Sequence, residues 1–125
     1  DGFKAVVTPN AVGSTFDNGD KAGGIVGYFA SEEKYVVKDN VVTNFDITAY
    51  RDLGGIIGAG NQITGKVMNN KATNGKLTAD QTINYYSAKD MNVHQIVGRI
   101  TAGELDTSNT YEAVEIFTKP YETVN

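Results

Sequence analysis

Two segments of this chain repeat after about 30 residues, and this repetition constrains the fold more than any other feature of the sequence. The pentapeptide Gly23-Gly24-Ile25-Val26-Gly27 returns as Gly54-Gly55-Ile56-Ile57-Gly58. Residues 37–49 then align without a gap with residues 67–79, and six of the thirteen positions are identical. Repeats of roughly 20–50 residues are typical of stacked architectures, in which each unit buries its apolar side chains against the next unit. The chain is therefore predicted to be a stack of similar units.

The composition indicates strands for these units. Fourteen glycines accompany only two prolines, and Asn, Thr, Val and Ile are frequent. Branched apolar residues favour strands, whereas Gly and Asn favour the tight turns between them. A chain of 125 residues is long enough for about one domain with a single core. The predicted fold class is all-β.

Apolar residues recur at the same repeat positions and are expected to point inward. These positions are Val37/Val67, Val42/Ala72, Ile47/Leu77, Ala49/Ala79 and Ile25/Ile56. Positions 42 and 47 are both expected to point inward, although residues five apart in a straight strand face opposite sides. A corner is therefore predicted at Asn44-Phe45 and at Asn74-Gly75. In a stack with about 4.8 Å between strands, Asn40 would lie under Asn70, so that their amides could form a ladder.

These features predict a short right-handed parallel β-solenoid of about three coils, with a β-sandwich as the alternative. A third copy is weaker, because Gly98 follows Gly58 by 40 residues whereas Gly58 follows Gly27 by 31, an insertion of roughly nine. The whole chain, 1–125, is predicted to form one repeat domain. Its parts are an N-terminal cap or first strand (1–21), coil 1 (22–52), coil 2 with an insertion at 80–92 (53–93), and a degraded coil 3 with a C-terminal cap (94–125). Parallel pairing of 37–43 with 67–73 would distinguish the solenoid from the sandwich.

The doubled glycine segment, the following apolar-x-Asn-Asn step and the segment 73–79 (Thr-Asn-Gly-Lys-Leu-Thr-Ala) resemble a known family. This family is the glycine-rich repeats (GLUG-type) of bacterial secreted and cell-surface proteins. The resemblance covers about residues 22–100, with Phe45 in place of the expected glycine. It implies a parallel β-solenoid within an adhesin or another large surface protein, and it brings no catalytic residue.

Charge and cysteine content restrict the partners. The net charge is −4, which disfavours attraction to nucleic acid. The chain has no cysteine, so it offers neither a disulfide nor a thiolate metal site. No apolar run approaches the roughly 20 residues of a membrane-spanning helix, so no membrane insertion is expected within these residues. No cofactor is expected either, and the location is predicted to be extracellular or on the cell surface.

Few residues stand out as candidates for a site. Asp17 and Asp20 flank an Asn-Gly turn and are a weak candidate for a calcium site, because the EF-hand spacing is absent. The lone His94 has no accompanying catalytic motif and is expected to be structural. Tyr85 and Tyr86 lie in the insertion, where exposed aromatic rings can stack on a sugar or a protein. The other tyrosines are expected to pack against the fold.

β-Solenoid enzymes that degrade polysaccharides arrange acidic and basic residues along one sheet, so such residues should recur at equal positions in successive repeats. Instead, Asp39 becomes Asn69 and Asp46 becomes Lys76, and the two arginines occupy unrelated positions. The chain is therefore expected not to be an enzyme, and a polysaccharide-degrading β-helix is the weakest reading. The leading hypothesis is an adhesion or binding module for glycan or protein, with a structural spacer as the alternative.

Overall fold

A computed structural model describes residues 3–6, 21–29, 36–61, 63–82 and 90–121 of the chain. These ranges contain strands and no helix, so they include no helix that could cross a membrane. The strands are β1 (Phe3–Val6), β2 (Lys21–Gly23), β3 (Val26–Phe29), β4 (Val37–Lys38), β5 (Val41–Ala49), β6 (Asp52–Gly54), β7 (Ile57–Gly60), β8 (Val67–Met68), β9 (Lys71–Asp80), β10 (Asn92–His94), β11 (Val97–Ile100) and β12 (Thr110–Lys119). The all-β prediction is confirmed.

The strands form four sheets in which every described pair is parallel. Sheet A has the order β1-β5-β9-β12, sheet B β10-β6-β2, sheet C β11-β7-β3 and sheet D β4-β8. Each sheet thus takes one strand from each successive repeat that contributes to it. Pairing of 37–38 with 67–68 and of 41–49 with 71–79 is parallel, as expected for stacked repeats and not for an antiparallel sandwich.

The pairing register follows the sequence repeat and locates the insertion. Val26 pairs with Ile57 and Val41 with Lys71, so the offset is 31 and then 30. Asp52 pairs with Asn92, an offset of 40. The difference, 40 − 30, places ten extra residues between β9 and β10. The spacing of Gly27, Gly58 and Gly98 predicts about nine extra residues. This count is one lower, because the connection from β3 to β4 is one residue longer than that from β7 to β8 and lengthens the first interval.

The predicted inward columns are buried, with one exception. The four residue pairs of the aligned blocks are all at most 6% exposed, and Ile56 is fully buried. Ile25 is 48% exposed, so the prediction for this residue is wrong. It lies between β2 and β3, which are edge strands of sheets B and C, and an edge residue lacks a neighbour on one side.

The predicted corner lies at two asparagines in the left-handed backbone region. Asn44 has φ 57° and Asn74 has φ 53°. Asparagine tolerates this region better than most residues, because its short polar side chain can bond locally. The reversal of backbone handedness lets both Val42 and Ile47 reach the core although they are five residues apart.

Asparagine side chains form the predicted ladder. Asn40 Nδ2 donates to Asn70 Oδ1 over 3.0 Å, and Asn70 Nδ2 donates to Asn109 Oδ1 over 2.9 Å. A second pair links Asn74 Nδ2 to Asn44 Oδ1. The ladder therefore extends into the third repeat, where Asn109 Nδ2 donates to the Asp106 carbonyl at 2.7 Å. Side chains that would otherwise leave amides unsatisfied thus bind the repeats together.

The doubled glycines allow the backbone to approach closely both within one repeat and between neighbouring repeats. A Cβ atom on Gly54 would lie 2.1 Å from the Ile57 carbonyl oxygen, and one on Gly58 would lie 2.5 Å from that of Gly27. Both distances are far shorter than a carbon–oxygen contact, so any side chain would force the strands apart. The glycines are therefore a packing requirement of the repeat.

Candidate functional site

The best candidate site is the place where the regular stack is interrupted, between β9 and β10. Tyr85 and Tyr86 belong to this insertion and lie outside the described residues, as do Asp17 and Asp20. The two ends of the insertion are described, and both are held by neighbouring repeats. The structure therefore defines the base from which the inserted segment departs.

The first end is anchored through Gln81 and Asp80. Gln81 is buried; its Nε2 donates to the Tyr50 carbonyl at 3.1 Å, and its backbone N–H donates to the Lys119 carbonyl at 2.8 Å. Asp80 accepts the Thr82 backbone N–H at 2.9 Å and lies 3.9 Å from the Lys119 ammonium group. The start of the insertion is thus bonded to the repeats on both sides.

The second end is anchored by a buried carboxylate. Asp52 is fully buried, and its Oδ2 accepts from Arg99 Nε at 2.9 Å while its Oδ1 accepts from Asn92 Nδ2 at 2.8 Å. Arg51 Nε lies 3.8 Å from Oδ1. We call Arg51, Asp52, Asn92 and Arg99 the Asp52 cluster. A charge removed from water must be paired and hydrogen-bonded, and here the pairing fixes Asn92, the first residue of β10.

Sequence reasoning missed the Asp52 cluster. It placed the two arginines at unrelated repeat positions, and the register confirms that Arg99 pairs with Ala59. The guanidinium of Arg99, however, reaches Asp52 in a different sheet. One signal could have indicated the cluster, because Lys21, Asp52 and Asn92 form a polar column at the start of β2, β6 and β10.

Three of the described aspartates have amide or basic side chains beside them. Asp46 lies beside Lys76, and Asp39 Oδ1 accepts from Asn69 Nδ2 at 2.8 Å. The Asp52 cluster contains one carboxylate and two guanidinium groups. In the ranges that the structure describes, no three His, Cys, Asp or Glu side chains are grouped to hold a metal ion.

His94 packs on the third repeat. Its Nδ1 accepts the Ile96 backbone N–H at 3.0 Å, and its ring meets Tyr111 edge to face with centroids 6.0 Å apart. Burial lowers the pKa of His94 below its ordinary value of 6.5. Because Nδ1 is an acceptor, the bonded form of the ring is the neutral one, as expected for a structural histidine.

Some tyrosines do not pack as expected. Tyr50 is buried, but Tyr28 is 49% and Tyr111 50% exposed. Both of these lie on β3 and β12, which are edge strands of their sheets among the described residues. Aromatic surface is therefore exposed at the edges of the described stack.

Comparisons of the chain with protein-family models, with curated proteins and with solved structures give no match. The resemblance to glycine-rich surface repeats remains a prediction that rests on the residues quoted above.

Proposed function

We propose that this chain is a short right-handed parallel β-solenoid of about three coils. In this proposal it is a non-catalytic segment of a bacterial cell-surface or secreted protein and acts as an adhesion or binding module for a glycan or a protein. The parallel sheets and the repeat offsets of 30 and 31 support the solenoid, because a coil that returns after one repeat pairs in this way.

The position of the insertion is the observation that carries the binding role. Ten residues are added between β9 and β10, yet β10 and β11 keep their register with β6 and β7. The added segment is therefore accommodated without disturbing the stack. Insertions in repeat proteins occur as loops on one face, which is often the binding face. Gln81 and the Asp52 cluster hold the two ends of this segment, so an inserted side chain would be displayed from a fixed base.

The absence of catalysis is proposed from the described acidic residues. Neighbouring repeats place an amide or an ammonium group beside Asp39 and Asp46. A glycosidase site would instead require two carboxyl groups about 5–9.5 Å apart.

A glycan array combined with a set of matched variants tests the binding role. Binding should be lost in the double variant Tyr85→Ala/Tyr86→Ala. It should persist in Tyr28→Ala, which removes an exposed tyrosine remote in sequence from the insertion. Circular dichroism would confirm that both variants fold. If the unsubstituted chain binds neither glycans nor surface proteins of candidate host cells, the binding role is wrong.

A structural spacer is the second candidate, and the asparagine ladder favours it. Asn40, Asn70 and Asn109 join three repeats through side-chain amides in addition to the backbone pairing, which would resist bending and extension. Single-molecule pulling between the two termini would test this role. A spacer should unfold at higher force than its Asn70→Ala variant, whereas equal forces would contradict the proposed contribution of the ladder.

A further inference from the structure

Strand β12 has a free edge that the rest of the described chain leaves uncovered. It is the last strand of sheet A and pairs only with β9 among the described strands. Ile116 and Phe117 are 37% and 41% exposed, although the residues that pair with them, Leu77 and Thr78, are buried. An edge of this kind presents unpaired backbone N–H and C=O groups and is a template for another strand.

The side chains on the outer face of β12, opposite the core, alternate in charge. Glu115, Phe117 and Lys119 lie on this face, beside Lys76, Thr78 and Asp80 of β9. The Lys76 ammonium group lies 5.0 Å from the centre of the Phe117 ring, and Lys119 lies 3.9 Å from the Asp80 carboxylate. Glu115 thus lies beside Lys76 and Lys119 beside Asp80, so that both have a neighbour of opposite sign on the β9 side, and the described residues place none on the edge side.

We infer that two copies of this chain associate through β12, in an antiparallel pair about a two-fold axis at Phe117. In this register Glu115 of each copy faces Lys119 of the other copy, and the two Phe117 rings meet at the axis. Ile116 then faces Thr118 on the inner side. The charge row Lys76-Glu115 of one copy continues as Lys119-Asp80 of the other, with opposite signs adjacent throughout.

Other antiparallel registers are less favourable. The two cores lie on the same side of the joined sheet, so an outer-face residue of one copy pairs with an outer-face residue of the other. The two-fold axis must therefore pass through a pair formed by the same residue of both copies. Centring on Glu115 would place two carboxylates opposite each other, and centring on Ile116 would place Glu115 against Phe117. The register at Phe117 also ends where Val114 meets Pro120, which has no N–H to donate.

The occupant is a second copy because the edge is complementary to itself. A two-fold interface uses the same patch on both partners, and β12 carries both the acidic and the basic member of each cross-strand pair. The outcome is a continuous sheet that runs through sheet A of both copies. This inference does not depend on the proposed binding role, because it uses neither Tyr85 nor Tyr86.

Reciprocal charge variants provide the test, with sedimentation velocity as the measurement over a range of protein concentrations. The unsubstituted chain should form a dimer as its concentration rises. Glu115→Lys places two ammonium groups opposite each other, and Lys119→Glu places two carboxylates opposite each other. Each variant alone should dimerise about tenfold more weakly or worse, because opposite-charge cross-strand pairs become like-charge pairs.

Mixing the two variants shows whether weaker dimerisation results from the like-charge pairs of this register or from a general loss of stability. The mixed dimer restores both opposite-charge pairs, so it should recover the affinity of the unsubstituted chain. Lys71→Glu, an exposed charge change on β9 away from the edge, should dimerise normally. The inference is overturned if the unsubstituted chain stays monomeric at all concentrations, if the single variants dimerise as well as it does, or if the mixture fails to recover.

Discussion

The ring of Phe45 in the first repeat occupies the space that a side chain at Gly75 in the second repeat would need. The two residues pair across β5 and β9, and Phe45 is 3% exposed. A Cβ atom on Gly75 would lie 2.1 Å from Cζ of Phe45. The aromatic residue at position 45 of the first repeat is thus matched by a glycine at position 75 of the neighbouring repeat.

Replacing Gly75 with alanine should destabilise the fold by about 1–3 kcal/mol, since the added methyl group overpacks a closed space. The backbone of Gly75 is not in the left-handed region, so the effect should be steric. Urea unfolding measures it. In a Phe45→Ala background the same substitution should cost almost nothing, because the ring is gone. Equal costs in both backgrounds would contradict this contact.

Replacing Asn70 with alanine should lower the free energy of unfolding by about 2–4 kcal/mol. Asn70 is 1% exposed, and its amide donates to the Val37 carbonyl at 2.9 Å as well as joining the ladder. Its removal leaves several buried groups without partners. Asn109→Ala, at the half-buried end of the ladder, should cost less when measured by the same urea titration. The reverse order would show that the ladder contributes little.

Replacing Ala113 with asparagine should stabilise the chain by about 1 kcal/mol. Ala113 has φ 56° and occupies the position of Asn44 and Asn74 in the third repeat, but alanine is strained there. Asparagine tolerates this backbone and would extend the second amide pair. The thermal midpoint should rise. Ala72→Asn, at a buried inward position, is the matched control and should lower it.

Stability should decrease as the pH falls below about 6.5, the ordinary pKa of histidine. Burial lowers the pKa of His94 in the folded chain. The unfolded chain therefore binds a proton at higher pH than the folded chain, so the contribution of neutral His94 is complete above the unfolded pKa. It is lost progressively between the unfolded and the folded pKa.

Urea titrations between pH 8 and pH 5 measure this dependence. His94 is the only histidine of the chain, so His94→Phe should flatten the curve in this range while keeping a ring against Tyr111. A slope that persists in the variant would assign the effect to other groups.

Much of the fold could be predicted because residues that recur at a fixed offset indicate which positions of successive repeats are neighbours. The pairs Val37/Val67 and Ile47/Leu77 revealed the inward columns, and Asn40/Asn70 revealed a ladder, because parallel stacking places identical positions in contact. The corner followed from the change of parity around Asn44. These inferences needed only the repeat length of about 30 residues and the alternation of side chains between the two faces of a strand.

The other features could not be predicted, because they depend on the ends of the stack and on contacts between different sheets, which the sequence repeat does not encode. Ile25 matches Ile56 in sequence, yet it is exposed because its strands are at the edge of their sheets. Asp52 and Arg99 are 47 residues apart and belong to different sheets, so no repeat position relates them. An end effect and a contact across sheets are both invisible to a comparison of repeats.

Disulfide cross-linking of cysteines introduced at threonine positions tests most directly whether successive repeats stack in parallel at an offset of 30 residues. The chain has no cysteine, so introduced pairs would be the only thiols. Parallel pairing places Thr43 beside Thr73 and Thr48 beside Thr78, at about the 4.8 Å spacing that suits a disulfide. Antiparallel pairing of the same strands would instead join Thr43 to Thr78 and Thr48 to Thr73. The account predicts rapid disulfide formation in the double cysteine variants of the first two pairs and none in the second two; the opposite pattern would contradict it.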